Sequence, residues 1–534
     1  MMSLSQVKCL RLLPSPECGQ YQEDHYHHSR PLAALCDSSV SGTAFMSVSF
    51  VSLKTGDQVH NIKFATEVAD ICVNKRVICV AFRERVAVFD ARTLREKVSL
   101  VTCYPSPGVH SNPLALHDRW LAFADKSLIV SRKSAGGMEG TAGQSVTAWG
   151  INVGSKLASG VTKVVSNIFS GSPRSSVTSG VGAGATTAGD AFNDGETGVV
   201  TILDVVEIVD QEIEHDAVDI ANSKLEGVVA HFVAHNKAVV ALQWDHSGSL
   251  LLTADKPGHN FHLFRIVAHP LGSSFAAVHH LYTLYRGDTP GSVQDVAFAP
   301  DSRWVAVSTL RGTTHIFPIC PYGGGVGVRT HTSSRVVNKL SRFHRSAGLY
   351  ETQASASSSS GRNSPNPTLG STPTDKSFDF PPGMFLGSPV AFPSPHLPPF
   401  PAPTLIQPIA QLRQPYIITI TNQVNLTGSR KQVVGHNKRN SVPDDIPIRL
   451  AVTFAPSRAR VIQGVHSGYS RQTKRQATDS LYVMANHGQL LEYTLDPQPD
   501  PTIPKDKVCE SSPIELNIVA YGQWNLGRLS GRDR

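Results

Sequence analysis

The chain has 534 residues, which is enough for two or three average domains or for one large β architecture with tails. Its formal net charge of +7 is modest for that length and argues against a dedicated nucleic-acid-binding protein. The sequence contains no run of about 18 apolar residues and no secretory signal, and its 8 cysteines form no CxxC pair. These features predict a reduced cytoplasmic protein that is neither secreted nor membrane-spanning.

The first part of the chain is predicted to alternate β-rich and poorly structured segments. Residues 1–43 are interpreted as an irregular lead-in that carries part of a blade. Across 44–132, β-rich runs such as RVICVAFR, RVAVFDA and WLAFAD are separated by polar turn residues, which is typical of antiparallel hairpins. Residues 133–196 are rich in Gly, Ser, Thr and Ala and are predicted to form a disordered insertion.

An internal repeat lies in the second β-rich block, residues 197–320. The stretches VVALQWDHSGSLLLTADKPGHNFHLFRI and VQDVAFAPDSRWVAVSTLRGTTHIFPI share one order: strand, polar turn, strand, Gly-containing turn, and a third strand ending in His-aliphatic-Phe. Repeats spaced by roughly 50 residues with several strands each are typical of propeller blades, which bury their faces by stacking on neighbouring blades.

A second disordered insertion is predicted over residues 321–445, which are first basic and then rich in Ser and Pro. Its basic part has cationic and apolar residues at helical spacing, for membrane or partner contact: Arg335, Val336, Lys339, Leu340, Arg342 and Phe343. Such a segment suits an anionic membrane, but it suits equally well packing on the propeller or binding to an acidic cytoskeletal surface. Residues 446–498 are predicted to supply closing propeller strands, and residues 499–534 a C-terminal tail.

Several stretches together resemble one known family. VNKRVICVAFRERVAVFD, HHLYTLYRGDT, STLRGTTHIFPICPYGG, SRVVNKLSRFHRSAGL and GQWNL are similar to the Rudhira, or breast carcinoma amplified sequence three, family. That family joins a WD40 propeller like that of the PROPPINs, which bind polyphosphoinositides, to its own C-terminal region. The resemblance implies an all-β, seven-bladed WD40-type propeller with long disordered insertions. We expect this propeller to be incomplete at its N-terminal side, and the chain to stop before the long tail of the family.

In the PROPPINs, two adjacent phosphate pockets are organised by an Arg-Arg-Gly element, and the resemblance places this element at residues 284–287, Leu-Tyr-Arg-Gly. Tyr285 therefore stands where the first pocket has its arginine. His235 matches the histidine of that pocket, but Asp255 and His259 occupy its serine and threonine positions. A carboxylate repels a phosphate at short range, so the first pocket is expected to be degenerate.

The second pocket is better preserved. The resemblance assigns phosphoinositide binding to an arginine, a glycine, three hydroxyls and a histidine: Arg286, Gly287, Ser308, Thr309, Thr313 and His315. A guanidinium binds phosphate bidentately, and small hydroxyls complete the shell of donors. The alternative interpretation is structural, because threonine and histidine in the last strand of a WD-type blade commonly make internal hydrogen bonds and an arginine in a turn is usually solvated.

Other constellations predict no chemistry. The cluster of His25, His27 and His28 lies in a polar loop without a distant partner motif, so no metal site is expected. The glycine-rich stretch GVGAGATTAG lacks the Gly-Lys-Ser/Thr of a phosphate loop. Neither a zincin motif nor a nucleophile elbow occurs in a suitable context, so the sequence predicts a protein that is not an enzyme and needs no cofactor.

We expect a non-enzymatic propeller scaffold that binds phosphatidylinositol 3-phosphate and takes part in autophagy at the phagophore membrane. Its expected partners are phosphoinositide-containing membranes and an autophagy protein, and no direct binding of nucleic acid is expected. The resemblance also implies an alternative, a cytoskeleton-associated protein that binds microtubules and intermediate filaments, promotes directed cell migration and acts as a nuclear coactivator. The protein is accordingly expected in the cytoplasm, at phagophore membranes and on the cytoskeleton, with the nucleus as a further location.

Overall fold

The computed structural model describes residues 7–17, 23–37, 45–138, 198–210, 217–218, 227–332, 402–414, 448–462 and 474–526. These residues form six sheets, each built on four antiparallel strands that follow one another along the chain. The all-β prediction is confirmed.

The first three sheets lie in the first half of the chain. Sheet 1 contains β1 (Val7–Leu13), β2 (Leu32–Asp37), β3 (Ser47–Ser52) and β4 (Gln58–Lys63). Sheet 2 contains β5 (Asp70–Val73), β6 (Val77–Ala81), β7 (Val86–Asp90) and β8 (Glu96–Leu100). Sheet 3 contains β9 (Leu114–Leu116), β10 (Trp120–Asp125), β12 (Gly198–Asp204) and β14 (Val228–His235).

The other three sheets follow in the same way. Sheet 4 contains β15 (Val239–Trp244), β16 (Leu250–Asp255), β17 (Asn260–Val267) and β18 (Ala277–Tyr285). Sheet 5 contains β19 (Val293–Phe298), β20 (Trp304–Thr309), β21 (Thr313–Pro318) and β23 (Ala410–Arg413). Sheet 6 contains β24 (Leu450–Ile462), β25 (Lys474–Ala485), β26 (Gln489–Pro499) and β27 (Ile514–Asn525).

Short elements decorate these sheets. Two parallel additions, β11 (Ala135–Gly136) and β22 (Thr404–Ile406), pair with β18, and β13 (Ala217–Val218) pairs with β8. The described helices are α1 (Val205–Asp210), α2 (Val328–His331) and the 3-10 turns His27–Ser29, Val130–Arg132, Ser273–Phe275 and Lys505–Lys507. Within the described residues, no helix is long and apolar enough to cross a membrane.

The sheets stack face to face in chain order. The first strands of neighbouring sheets touch each other, from β1 against β5 to β19 against β24, which places these strands on the inside of the stack. In strand β20 every side chain is buried. Val305 and Val307 belong to the core shared with sheet 4, and Trp304 and Ala306 belong to the core shared with sheet 6. A strand that is covered on both faces in this way needs apolar residues along most of its length. Radial stacking of this kind is the arrangement of propeller blades.

Five apolar cores hold the six sheets together, one between each pair of successive sheets. Sheets 2 to 5 are therefore covered on both faces. Within the described residues no core cluster joins sheet 6 to sheet 1, and Leu10 and Leu12 on β1 remain 55% and 64% exposed. The described part of the chain supplies six blade-like sheets where seven blades are expected.

Three segments contain strands that the sequence pattern does not delimit. Residues 1–43, which are expected to carry part of a blade, contain β1 and β2. These two strands pair with each other, and β2 also pairs with β3. The expected second insertion contains α2, β22 and β23, and the expected tail contains β27, which pairs along β26. Each of these strands finds its partner through pairing with a distant segment or after a long connection, so its own short sequence pattern gives little indication of a strand.

Candidate functional site

The residues assigned to the better-preserved pocket lie where sheet 4 meets sheet 5. Strand β18 ends at Tyr285, and the next residue donates its backbone N–H to His259 O in the turn between β16 and β17, with N···O 2.8 Å. Gly287 then adopts φ +138°, a conformation that favours glycine. This loop brings Arg286 close enough for its charge to act on His315 of β21.

The guanidinium of Arg286 is held by carbonyls of the surrounding loops. Its Nε donates to Gly258 O at 2.6 Å, and one Nη donates to Thr289 O. Gly291 leaves the space that the guanidinium occupies, because a Cβ at that position would lie 2.6 Å from Arg286 Cζ. Burial and then the positive charge of Arg311 lower the pKa of Arg286. No carboxylate in the described part of the chain pairs with this guanidinium.

Three side chains of sheet 5 lie on the face that packs against sheet 4: Thr309, Thr313 and His315. Thr309 pairs with Thr313, and His315 pairs with a valine of the core shared with sheet 4. Thr309 Oγ1 donates to Thr313 O at 3.2 Å. His315 is 5% exposed, and its Nδ1 has no hydrogen-bond partner within the described structure. Burial first, and then the charges of Arg286 and Arg413, lower the pKa of His315 to about 4. The imidazole is therefore neutral near pH 7 and still able to donate one N–H.

Ser308 lies on the opposite face of sheet 5. Its Oγ is 2.7 Å from Thr314 Oγ1, and both side chains are fully buried toward sheet 6. Adjacent residues of a strand point to opposite faces, so Ser308 and Thr309 do not share one pocket. The structure brings the other assigned residues together and leaves Ser308 apart from them.

Two arginines that sequence reasoning did not assign lie in the same region. Arg311 is in the exposed turn between β20 and β21, and its charge acts on Arg286. Arg413 is in β23, directly opposite Thr313, and its charge acts on His315. The stretch LRGTT could have indicated Arg311, which lies next to the assigned threonine. No local signal points to Arg413, because the second insertion separates β23 from β21 along the chain.

The other pocket lies between sheets 3 and 4, at a cavity of about 300 Å³ whose lining includes His235, Asp255, His262 and His280. The rings of His235 and His262 stack with centroids 4.2 Å apart, and those of His262 and His280 are 4.5 Å apart. Burial, the main cause in each case, lowers the pKa of His235 and His262 and raises the pKa of Asp255. Among the residues that the structure describes, no lysine or arginine lines this cavity.

The remaining residues assigned to that pocket are engaged beside it. His259 Nδ1 lies 3.2 Å from Gly287 O, and the Tyr285 hydroxyl donates to Asp288 Oδ1 at 2.6 Å. Neutral imidazoles beside a carboxylate offer no positive charge to a phosphate. This arrangement supports the prediction that the pocket is degenerate.

A buried Asp–Thr–His chain resembles a catalytic triad in composition only. Thr201 Oγ1 donates to Asp125 Oδ2 at 2.6 Å and lies 2.8 Å from His231 Nδ1, while Ile129 N donates to His231 Nε2 at 2.7 Å. Since Nε2 accepts, Nδ1 carries the proton and donates it to the hydroxyl. The three side chains are at most 1% exposed, so they tie β10, β12 and β14 together without facing solvent.

Two further sequence features are the histidine cluster and the basic segment. The imidazoles of His27 and His28 are 3.6 Å apart in a 3-10 turn, and in the described ranges no group of three or more His, Cys, Asp or Glu is arranged to hold a metal. The basic segment with Arg335, Val336, Lys339, Leu340, Arg342 and Phe343 lies outside the described residues.

Known proteins match much of this chain. Residues 1–349 match the family model described as BCAS3, WD40 repeat. The chain is 43% identical over 528 residues to the breast carcinoma-amplified sequence 3 homolog of Drosophila melanogaster, covering 92% of this chain and 45% of that protein. It is 29% identical over 347 residues to autophagy-related protein 18f of Arabidopsis thaliana, covering 58% of this chain and 42% of that protein. The chain therefore spans less than half the length of these relatives. The crystal structure of Kluyvelomyces marxianus Hsv2 covers 97% of this chain and 85% of its own at 9% identity, with a TM-score of 0.40.

Proposed function

Because the chain belongs to the BCAS3 WD40 family, we propose that it is a non-enzymatic propeller scaffold that binds the headgroup of phosphatidylinositol 3-phosphate and takes part in autophagy at the phagophore membrane. The proposed binding site is the junction of sheets 4 and 5. We call it the arginine site and define it by Arg286, Thr309, Thr313, His315 and the neighbouring Arg311.

The observation that carries this proposal is the concentration of unpaired positive charge around a neutral histidine. Arg286 and Arg413 each act on His315, and Arg311 acts on Arg286. Among the described residues, none of these arginines has a carboxylate partner. Like charges that approach one another without a counter-ion destabilise the protein, and a bound anion relieves their repulsion.

The donors of the arginine site suit a phosphate monoester. Guanidinium forks make short, charge-assisted hydrogen bonds to phosphate oxygens. The hydroxyl of Thr313 and the neutral imidazole of His315 add further donors. The hydroxyl of Thr309 donates to Thr313 O at 3.2 Å and so lies beside these donors without adding one. A phosphate on an inositol ring offers the matching set of acceptor oxygens.

The autophagy part of the proposal is supported by the name of a relative, autophagy-related protein 18f, and not by a contact in the structure. The cytoskeletal alternative depends on the basic segment near Arg335, which lies outside the described residues. We therefore keep the lipid site as the primary proposal.

Flotation with vesicles tests the site directly. We expect the chain to float with vesicles that contain phosphatidylinositol 3-phosphate and to float much less with vesicles that carry equal charge as phosphatidylserine. The double variant Arg286→Ala with His315→Ala should lose the difference between the two vesicle types, because both a fork and a donor are removed.

A matched double variant, Arg83→Ala with His246→Ala, removes the same residue types at exposed positions in the β6–β7 and β15–β16 turns and should float like the unmodified chain. Thermal unfolding of both variants checks that each is folded. Equal flotation of the unmodified chain with the two vesicle types would refute lipid recognition by this site.

A further inference from the structure

Strand β23 lies within the segment expected to form the second insertion, and it is the outer strand of sheet 5. It pairs antiparallel with β21, so Arg413 lies opposite Thr313 and Gln411 lies opposite His315. Leu412 and Ala410 pack against the core shared with sheet 6. Since side chains alternate along a strand, Gln411 and Arg413 lie on the face that carries the arginine site.

Arg413 is free to meet a ligand. The residue is exposed, and no carboxylate within the described ranges pairs with it. Its charge nevertheless acts on the buried imidazole of His315, as does that of Arg286 from the other side of the sheet 4–sheet 5 junction. The two guanidiniums therefore approach one histidine from two different sheets.

The position of Arg413 also bears on the arginine that is missing after β18. Tyr285 replaces one of the two arginines that the resemblance would place after β18, and its hydroxyl is engaged with Asp288. A phosphate dianion is bound more tightly by two forks than by one, because each fork contributes its own charge-assisted hydrogen bonds. Two further guanidiniums are close to Thr313: Arg413, directly opposite it on β23, and Arg311, two residues before it in the turn.

We propose that Arg413 is a phosphate-binding residue of the arginine site, so that the site is assembled from sheets 4 and 5 and from a strand within the segment expected to form the second insertion. This inference rests on the proposed function for its lipid ligand, but the shared chemistry is a phosphate monoester. In this arrangement Arg413 contacts the phosphate only when β23 is paired with β21. Phosphate binding therefore stabilises the pairing of β23 with β21.

The test compares three variants by their binding to phosphatidylinositol 3-phosphate vesicles, to the soluble deacylated headgroup, and to inorganic phosphate. Arg413→Gln should weaken binding roughly tenfold, the loss expected for one charge-assisted contact. Arg413→Lys should bind at an intermediate level, because it keeps the charge and loses the fork. Arg83→Gln, the control in the exposed β6–β7 turn of sheet 2, should bind like the unmodified chain.

Amide hydrogen exchange supplies a second readout that a merely structural role would not change. The soluble headgroup should slow exchange at residues 410–413 in the unmodified chain and should leave it unchanged in Arg413→Gln. If the headgroup binds without slowing exchange there, the inference is wrong.

The outcomes separate the inference from the proposed function. If vesicles bind, Arg286→Ala loses binding and Arg413→Gln does not, the role of Arg413 is refuted while the lipid site stands. If vesicles and headgroup fail but inorganic phosphate binds in an Arg413-dependent manner, the lipid function falls and the phosphate role of Arg413 stands. If no phosphate probe binds, both are refuted.

Discussion

Gly291 makes room for the guanidinium of Arg286. A Cβ at residue 291 would lie 2.6 Å from Arg286 Cζ and 2.8 Å from its Nη2. The obstructing atoms are the end of a flexible side chain, so Gly291→Ala should displace the fork with little effect on the free energy of unfolding. We expect about tenfold weaker binding of phosphatidylinositol 3-phosphate vesicles, as for loss of one charged contact.

The control for this substitution is Gly325→Ala, since a Cβ at Gly325 meets no atom within 4 Å. Vesicle binding and thermal unfolding are measured on both variants. Full binding by Gly291→Ala would show that the observed position of Arg286 is not the one used with the ligand.

Protonation of His315 should make the protein less stable in acid. Burial and the nearby arginines lower its pKa from 6.5 to about 4, so between these values the unfolded chain binds the proton and the folded chain does not. Stability from this group is complete above pH 6.5 and falls on acidification toward pH 4, by up to about 1.4 kcal/mol per pH unit.

Urea unfolding at several pH values between 7 and 4 measures this slope. His315→Gln should show a shallower loss of stability in acid than the unmodified chain, and His246→Gln, at an exposed position, should match the unmodified chain. Parallel curves for His315→Gln and the unmodified chain would contradict the lowered pKa.

The residues of the arginine site that could be assigned from the sequence are those that lie close together along the chain. The resemblance assigns Arg286, Thr309, Thr313 and His315 to one binding site. In the structure these residues lie at the junction of sheets 4 and 5. The resemblance assigns Ser308 to the same site, although the two-residue period of a strand allows only one of the adjacent residues 308 and 309 to face it. Whether these residues bind lipid stays a prediction.

At the scale of elements, the sequence predicted the strands that form tight hairpins. The repeat from residue 239 to 319 corresponds to β15–β17 and β19–β21, each with short turns between strands. The strands that it did not predict, β1, β2, β22, β23 and β27, pair after long connections or lie at sheet edges. Strands at sheet edges or with distant partners have a weak local sequence pattern, because the partner strand, and not the segment itself, determines whether the strand forms.

The consequence for function is concrete at one element. Strand β23 carries Arg413, and without its pairing to β21 nothing connects residue 413 with residue 313. A binding residue on such a strand can be identified only when the strand pairing is known.

At the scale of the whole molecule, the all-β WD40 propeller and the family assignment are confirmed. Six sheets share five apolar cores within the described residues, so sheets 1 and 6 are each covered on one face only. We expect amide exchange to be fastest in these two sheets and slowest in sheets 3 and 4, because exchange follows the free energy of local opening. Uniform protection across all six sheets would contradict this picture.

Within the described residues, the sheets therefore form a row with two ends, and we expect loosening to start at an end and move inward. The arginine site lies between sheets 4 and 5, each of which has a neighbour on both sides. As the temperature rises, sheet 1 should melt while the headgroup still binds, so the protein would lose part of its architecture well before it loses its ligand.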